Sequence, residues 1–301
     1  MEKQTLRGIY PIVPTPFDED GALDVESIAR MTAFMCERGV AGLAVLGVMG
    51  EADKLTEAER LRAVRAFREA LPRDRHLVVG AGAPGTMAAI EAARAMLDLG
   101  ADALLVAPPP TQNDQAIFGH YEQIARALAA PIVIHDYPAS TGILLSPELL
   151  ARLGDDAGIG YVKLEEAPTG PKMARLAELS RSGMMVFGAL GGQYALEELE
   201  RGAVGIMTGF AYPELLVRLF ELHAAGDRES AEELFFGMLP LVRFEFQPKL
   251  GISLRKHILV QRGAIRHTAI RRPGMSADAV TLEQLERILA HLRRTGILPA
   301  G

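Results

Sequence analysis

Along the chain, short runs of consecutive apolar, largely β-branched residues alternate with longer stretches in which apolar positions recur every three or four residues. The first pattern is that of a strand buried on both faces and the second that of an amphipathic helix. Their regular alternation is how βα units around a parallel sheet read in a sequence. Eight runs stand out, at 8–13, 42–46, 76–79, 103–106, 132–135, 160–163, 184–187 and 205–207. Their starts lie about 20 to 34 residues apart, which leaves room for one helix and two loops. Eight such units predict a closed (β/α)8 TIM barrel rather than an open sheet.

Helix-start signals support the division. Thr56 with Glu59 forms a capping box, and Ser146 precedes Pro147 at a first helical position. Thr86 reads as the cap of the third helix, with Gly100 after its end. Residues 1–226 read as the barrel and 227–301 as a C-terminal helical extension. Its amphipathic segments, around 229–241, 250–261 and 281–294, are expected to pack outside the barrel or against another subunit.

Composition narrows the function. With 301 residues, 49% of them hydrophobic, the chain can bury a large core. No apolar run approaches the ~20 residues of a membrane helix, and MEKQTLRG lacks a signal-like stretch, so a cytoplasmic protein with no membrane role is expected. A net charge of −6 without a concentrated basic face argues against a nucleic-acid partner. The one cysteine, Cys36, leaves no intramolecular disulfide and no cysteine-rich zinc site, and reads as a small core residue.

In a barrel of this kind the chemistry sits at the carboxyl ends of the strands. Of 32 basic residues only six are lysines, and Lys163 alone ends an apolar strand; Lys3, Lys54, Lys172, Lys249 and Lys256 fall near a terminus, in loops or on helices. Two readings of Lys163 stand. In the plainer one it snorkels or pairs with Glu165 or Glu166. In the other it is a Schiff-base lysine, whose ammonium loses solvation in the barrel mouth so that the free amine attacks a keto group. A neighbouring carboxylate works against that second reading by stabilising the ammonium, although it would equally stabilise a cationic iminium.

Ordered motifs along the chain carry a resemblance. They are Thr15-Pro16-Phe17 after the first strand, Gly47-Val48-Met49-Gly50-Glu51 with Leu55-Thr56-Glu57 after the second, and Gly80-Ala81-Gly82 after the third. Gly100-Ala101-Asp102, Pro138 with Thr141-Gly142, Lys163, Gly188 and Gly202-Ala203-Val204-Gly205 complete the series. In order and spacing the chain resembles the dihydrodipicolinate synthase and N-acetylneuraminate lyase family over nearly its whole length. The resemblance implies a class I mechanism without metal or organic cofactor, in which Lys163 condenses with pyruvate or another 2-keto acid. It also implies a homotetramer or homodimer. Gly47, Val48, Met49 and Gly50, with Gly188, would frame the substrate carboxylate, and Met207 would be an apolar wall.

The chain departs from the family pattern where side-chain chemistry is concerned. Two threonines of the loop after the second strand are here Val48 and Met49, which leaves only backbone N–H groups to hold a carboxylate. The family tyrosine at the end of the fifth strand is His135, followed by Asp136, and the synthase arginine is Ser140. His135 is either a replacement acid or base or a neutral histidine satisfied by a backbone bond. Tyr137 reads as a packing ring beside Pro138 in preference to a displaced phenol. The tyrosine pair after the fourth strand is Pro109 and Pro110. These changes point away from dihydrodipicolinate synthase proper, which stays as an alternative, and toward a lyase, aldolase or dehydratase of a 2-keto-3-deoxy sugar acid. A barrel that binds a keto acid without turning it over is a further alternative.

Two other motifs carry less. The spacing Gly80-x-Gly82-x-x-Gly85 spells a dinucleotide fingerprint, but Pro84 removes an N–H from the turn that would face pyrophosphate, and Asp102 precedes the fourth strand instead of ending it. Glu51 reads first as a residue that holds its loop and second as a catalytic carboxylate.

Overall fold

The structure is a computed structural model that describes residues 5–299, so Lys3 and the two ends of the chain lie outside the described residues. Each of the eight apolar runs forms a strand: β1 (Gly8–Ile9), β2 (Gly42–Val45), β3 (His76–Gly80), β4 (Ala103–Val106), β5 (Ile132–Asp136), β6 (Tyr161–Leu164), β7 (Met185–Gly188) and β8 (Gly205–Ile206). The helices between and after them are α1 (Val25–Cys36), α2 (Glu57–Ala70), α3 (Thr86–Asp98), α4 (Asp114–Ala127), α5 (Pro138–Thr141), α6 (Pro147–Ala157), α7 (Thr169–Leu179), α8 (Ala195–Glu200) and α9 (Pro213–Ala224). Three more follow among the described residues: α10 (Arg228–Glu245), α11 (Gly251–Gln261) and α12 (Ala279–Arg294).

All strand pairs are parallel, in the order β1-β8-β7-β6-β5-β4-β3-β2. β1 is shorter than its apolar run because Pro11 has no N–H to give a ladder. The segment still runs beside β2: the Ala44 N–H donates to the Pro11 carbonyl at 2.9 Å and the Val13 N–H to the Ala44 carbonyl at 3.0 Å. These bonds close the (β/α)8 barrel.

The caps at Thr56 and Ser146 form as the sequence predicts. Thr86 does not cap α3. The cap position is Gly85, and the Thr86 hydroxyl lies 2.9 Å from His120 Nδ1 instead.

Strand alternation sorts the side chains into two layers. Tyr10, Val133, Tyr161, Phe187 and Met207 fill the barrel interior, whereas Ile134, Val162, Leu164 and Ile206 join a larger core between the strands and the helices. That outer core also takes in Phe235, Met238, Leu254 and Ile258 from α10 and α11, so the C-terminal helices share the barrel's packing. Polar contacts reinforce it, since the Arg271 guanidinium grips the Glu59 carboxylate and its Nε donates to the Gly21 carbonyl at 2.9 Å. Among the described residues no helix is long and apolar enough to cross a membrane.

Candidate active site

The same alternation places the polar residues of the barrel mouth. On β6, Tyr161 and Lys163 face inward, and on β5, Val133 and His135 do. His135 pairs with Lys163 in the sheet register, so the two side chains are neighbours on the inner face. Lys163 Nζ lies 3.2 Å from His135 Nε2 and contacts the Glu165 carboxylate, whose Oε2 is 2.9 Å from the same His135 nitrogen. A ring nitrogen is either donor or acceptor, so Nε2 serves Glu165 with a proton or Lys163 with a lone pair, but not both. The triangle is therefore a place where one proton has three addresses.

Burial governs the charges. Lys163 is 3% exposed, and loss of solvation pushes its ammonium down to about 7 while the carboxylates of Glu198 and Asp136 hold it up. Burial and the Lys163 charge push His135 well below the ordinary histidine range, which leaves it neutral near pH 7. Behind the strands, burial raises Glu198 to about 8 and Asp136 to about 6, the latter opposed by Lys172, 2.6 Å away. The ion pair of the plainer sequence reading is present for Glu165 but not for Glu166, which contacts Lys172. Both readings of Lys163 thus have a physical counterpart: a paired nitrogen, and one brought by burial to the edge of deprotonation at neutrality.

A narrow pocket opens onto this triangle, lined on one side by Gly47, Val48 and Met49 and on another by Tyr137, Thr208 and Arg255. The loop after β2 is held in an uncommon backbone shape, because Leu46 and Glu51, on either side of it, both adopt left-handed conformations with φ of 55° and 53°. Glu51 locks it. Its buried carboxylate accepts from Lys256 Nζ at 2.7 Å, Lys54 Nζ at 2.9 Å and the Arg271 N–H at 3.1 Å, which fits the loop-holding reading of this residue. Gly80 completes the arrangement, since a side chain there would collide with the Leu46 carbonyl.

Of the residues singled out in the sequence, Lys163, His135, Gly47, Val48 and Met49 come together in this pocket. Ser140 lines an adjoining, roomier groove that shares His135, Gly47 and Val48 with it, and Pro110 lies there too. Gly50 is buried at the loop's end, where its carbonyl accepts from the Thr15 hydroxyl at 2.6 Å. The missing side chain of Gly188 faces Glu198 and Ile206 in the outer layer, and Met207 packs in the inner core. Tyr137 is not confined to packing beside Pro138: its ring stacks on His135 with centroids 5.8 Å apart and faces the pocket. Among the described residues the partners of His135 Nε2 are the Lys163 and Glu165 side chains, not a backbone group.

Thr208 and Arg255 are functional candidates the sequence reading passed over, and Glu165 entered it only as a carboxylate neighbour of Lys163, not as a site residue. Glu165 follows the 161, 163, 165 alternation and could have been placed inward on that ground alone. Thr208 directly follows the last apolar run. Arg255 has no local signal, for it arrives from α11, 92 positions beyond Lys163. The Asp102 carboxylate accepts from Arg68 Nη1 at 3.0 Å and the Leu77 N–H at 2.8 Å, a structural role consistent with setting the dinucleotide motif aside. No group of three or more metal-ligating side chains gathers among the described residues.

The model of the dihydrodipicolinate synthetase family matches residues 5–292. The 4-hydroxy-tetrahydrodipicolinate synthase of Porphyromonas gingivalis is 31% identical over 297 residues, covering 96% of this chain and 98% of its own. That of Corynebacterium aurimucosum is 32% identical over 290 residues, with 94% and 93% covered. The crystal structure of dihydrodipicolinate synthase from Rhodopseudomonas palustris superposes with a TM-score of 0.90 at 34% identity, covering 95% of this chain and 97% of that one. The chain therefore belongs to the dihydrodipicolinate synthetase family, as an enzyme of the lyase class.

Proposed function

We propose that this protein cleaves, condenses or dehydrates a 2-keto-3-deoxy sugar acid through an imine on Lys163. The observation that carries this reading is the buried Lys163 nitrogen, held at about 7 within reach of both His135 and Glu165 at the barrel mouth. The free amine's lone pair forms the N–C bond to C2 of the keto acid. The carbonyl oxygen takes up two protons in turn and leaves as water, and the iminium remains. His135, neutral and 2.9 Å from Glu165, is suited to pass those protons, with Glu165 as the charge that steadies the cation.

From the iminium, loss of the C4 hydroxyl proton lets the C3–C4 electron pair move into an enamine as an aldehyde departs. Protonation at C3 and hydrolysis then return pyruvate and the free lysine. Loss of a C3 proton followed by departure of the C4 hydroxyl as water gives the dehydratase outcome instead. Val48 and Met49 in the loop, Ser140 in the groove and prolines at 109 and 110 support a substrate other than the one named for the relatives. The site needs no metal or organic cofactor for these steps, nucleic acid and membrane are not partners, and a homotetramer or homodimer is the proposed assembly.

The test is to incubate the protein with pyruvate and borohydride and to locate the reduced adduct by mass spectrometry. An adduct on Lys163, with pyruvate released from a panel of 4-hydroxy-2-keto acids, is the expected result. Absence of any adduct would remove the imine mechanism, and efficient condensation of pyruvate with aspartate semialdehyde would favour the synthase reading. An adduct with no turnover of any keto acid would favour a binding barrel.

A further inference from the structure

The pocket contains a buried positive charge that none of the steps above uses. Arg255, 4% exposed, reaches the pocket from α11. Its Nε donates to Glu245 Oε2 at 3.0 Å, and that oxygen also accepts the Ala211 N–H at 3.2 Å. This bond anchors the inner edge of the guanidinium and leaves the fork of Nη1 and Nη2 for other partners. Nη1 rests against the Met49 thioether at 2.8 Å, a weak acceptor, and Nη2 is buried with no partner among the described residues. Gly209 and Gly251 leave the fork room, because a Cβ at either would approach Nη1 to 3.3 or 3.4 Å.

A buried guanidinium donor without an acceptor is costly, and an arginine fork matches a carboxylate with two parallel bonds. The loop beside it, which has no side-chain hydroxyl at Val48 or Met49, meets the guanidinium through Met49 itself. We infer that Arg255 is the side-chain carboxylate anchor of this site and takes the C1 carboxylate of the 2-keto acid beside the loop's backbone N–H groups, a task the loop side chains cannot perform. The inference rests on the imine reading for the identity of the ligand, while the anchor itself is a matter of anion binding.

Arg255→Met and Arg255→Lys decide it when two carbonyl probes are compared, pyruvate and its uncharged analogue methyl pyruvate, by borohydride trapping across a concentration series. Truncating one partner of a buried charge pair typically costs 2–5 kcal/mol, so Arg255→Met is expected to raise the half-saturating pyruvate concentration about 30-fold or more. Methyl pyruvate should change by less than about threefold on the same footing. Arg255→Lys, which keeps the charge and loses the fork, should fall between. Unchanged pyruvate trapping in Arg255→Met, or equal losses for both probes, would overturn the assignment; if that variant does not fold, the same comparison in Arg255→Lys decides.

Oxamate, a carboxylate shaped like pyruvate that forms no imine, separates this inference from the reading beneath it. If the wild type traps neither probe, the imine mechanism falls. Arg255 then stands if oxamate raises the melting temperature of the wild type and not of Arg255→Met, and falls if it raises neither or both.

Discussion

Two buried lysines, each facing a buried glutamate, are set in different surroundings in this molecule. Lys256 on α11 is fully enclosed, gives 2.7 Å and 2.6 Å bonds to Glu51 and the Ala269 carbonyl, and sits 4.5 Å from the centre of the Phe17 ring. Lys163 is almost as enclosed, yet its partners are Glu165 and a neutral His135, and a pocket opens beside it. Burial pushes both ammonium groups down, to about 8 for Lys256, where Glu51 pulls it back up, and to about 7 for Lys163. Depth alone therefore does not distinguish the two. What separates the two is whether fixed acceptors saturate the ammonium, and whether a substrate can reach the nitrogen.

The comparison breaks most sharply by removing each nitrogen in turn. Lys163→Ala should lower turnover by about 10⁴-fold or more, on the scale seen when an enzyme loses its nucleophile, while the protein still melts cooperatively. Turnover surviving in that variant would end the distinction. Lys256→Met should do the reverse. It leaves Glu51 buried without its main cation and should cost about 3–5 kcal/mol in a denaturant titration. A loss under 1 kcal/mol would mean that the second pair does not hold the loop. Next in size, His135→Phe should lower kcat by about 10²–10³-fold with little change in KM, because the proton carrier is lost but the imine carbon is still bound. Equal changes in kcat and KM would reduce His135 to a positioning residue.

How much of this was legible in the sequence follows from which forces are local. The eight strands were, because a strand covered on both faces must be continuously apolar, and its ends fell within about two residues of the apolar runs except at Pro11. Lys163 stood out because a charge at the end of such a run is expensive. Glu165 and Tyr137 were legible in principle, each two positions beyond an inward residue, but alternation carries past a strand's end only if the turn preserves it, and that depends on tertiary contacts. Thr86 shows the reverse, a residue type suited to capping that is drawn away by His120. Arg255 was not legible. Its role arises where α11 crosses the loop after β2, a contact between residues 206 positions apart that no local pattern encodes.

The smallest expected effect is the most direct measure of what sets the two lysines apart. An amine whose value is lowered to about 7 is mostly protonated at pH 6 and mostly free at pH 8. The rate of adduct formation with pyruvate at low concentration should therefore rise with pH through a midpoint near 7, by about tenfold between pH 6 and pH 8. The sign for stability follows from the same shift. Between about 7 and the ordinary lysine value the unfolded chain holds a proton on Lys163 that the folded chain has lost, so this residue's contribution to stability rises with pH across that window. Lys163→Ala should flatten that rise, whereas Lys256→Met should remove only the part that begins near 8. A trapping midpoint at about 8 or above would mean that Glu165 holds Lys163 as firmly as Glu51 holds Lys256, and the two pairs would then be the same structure twice.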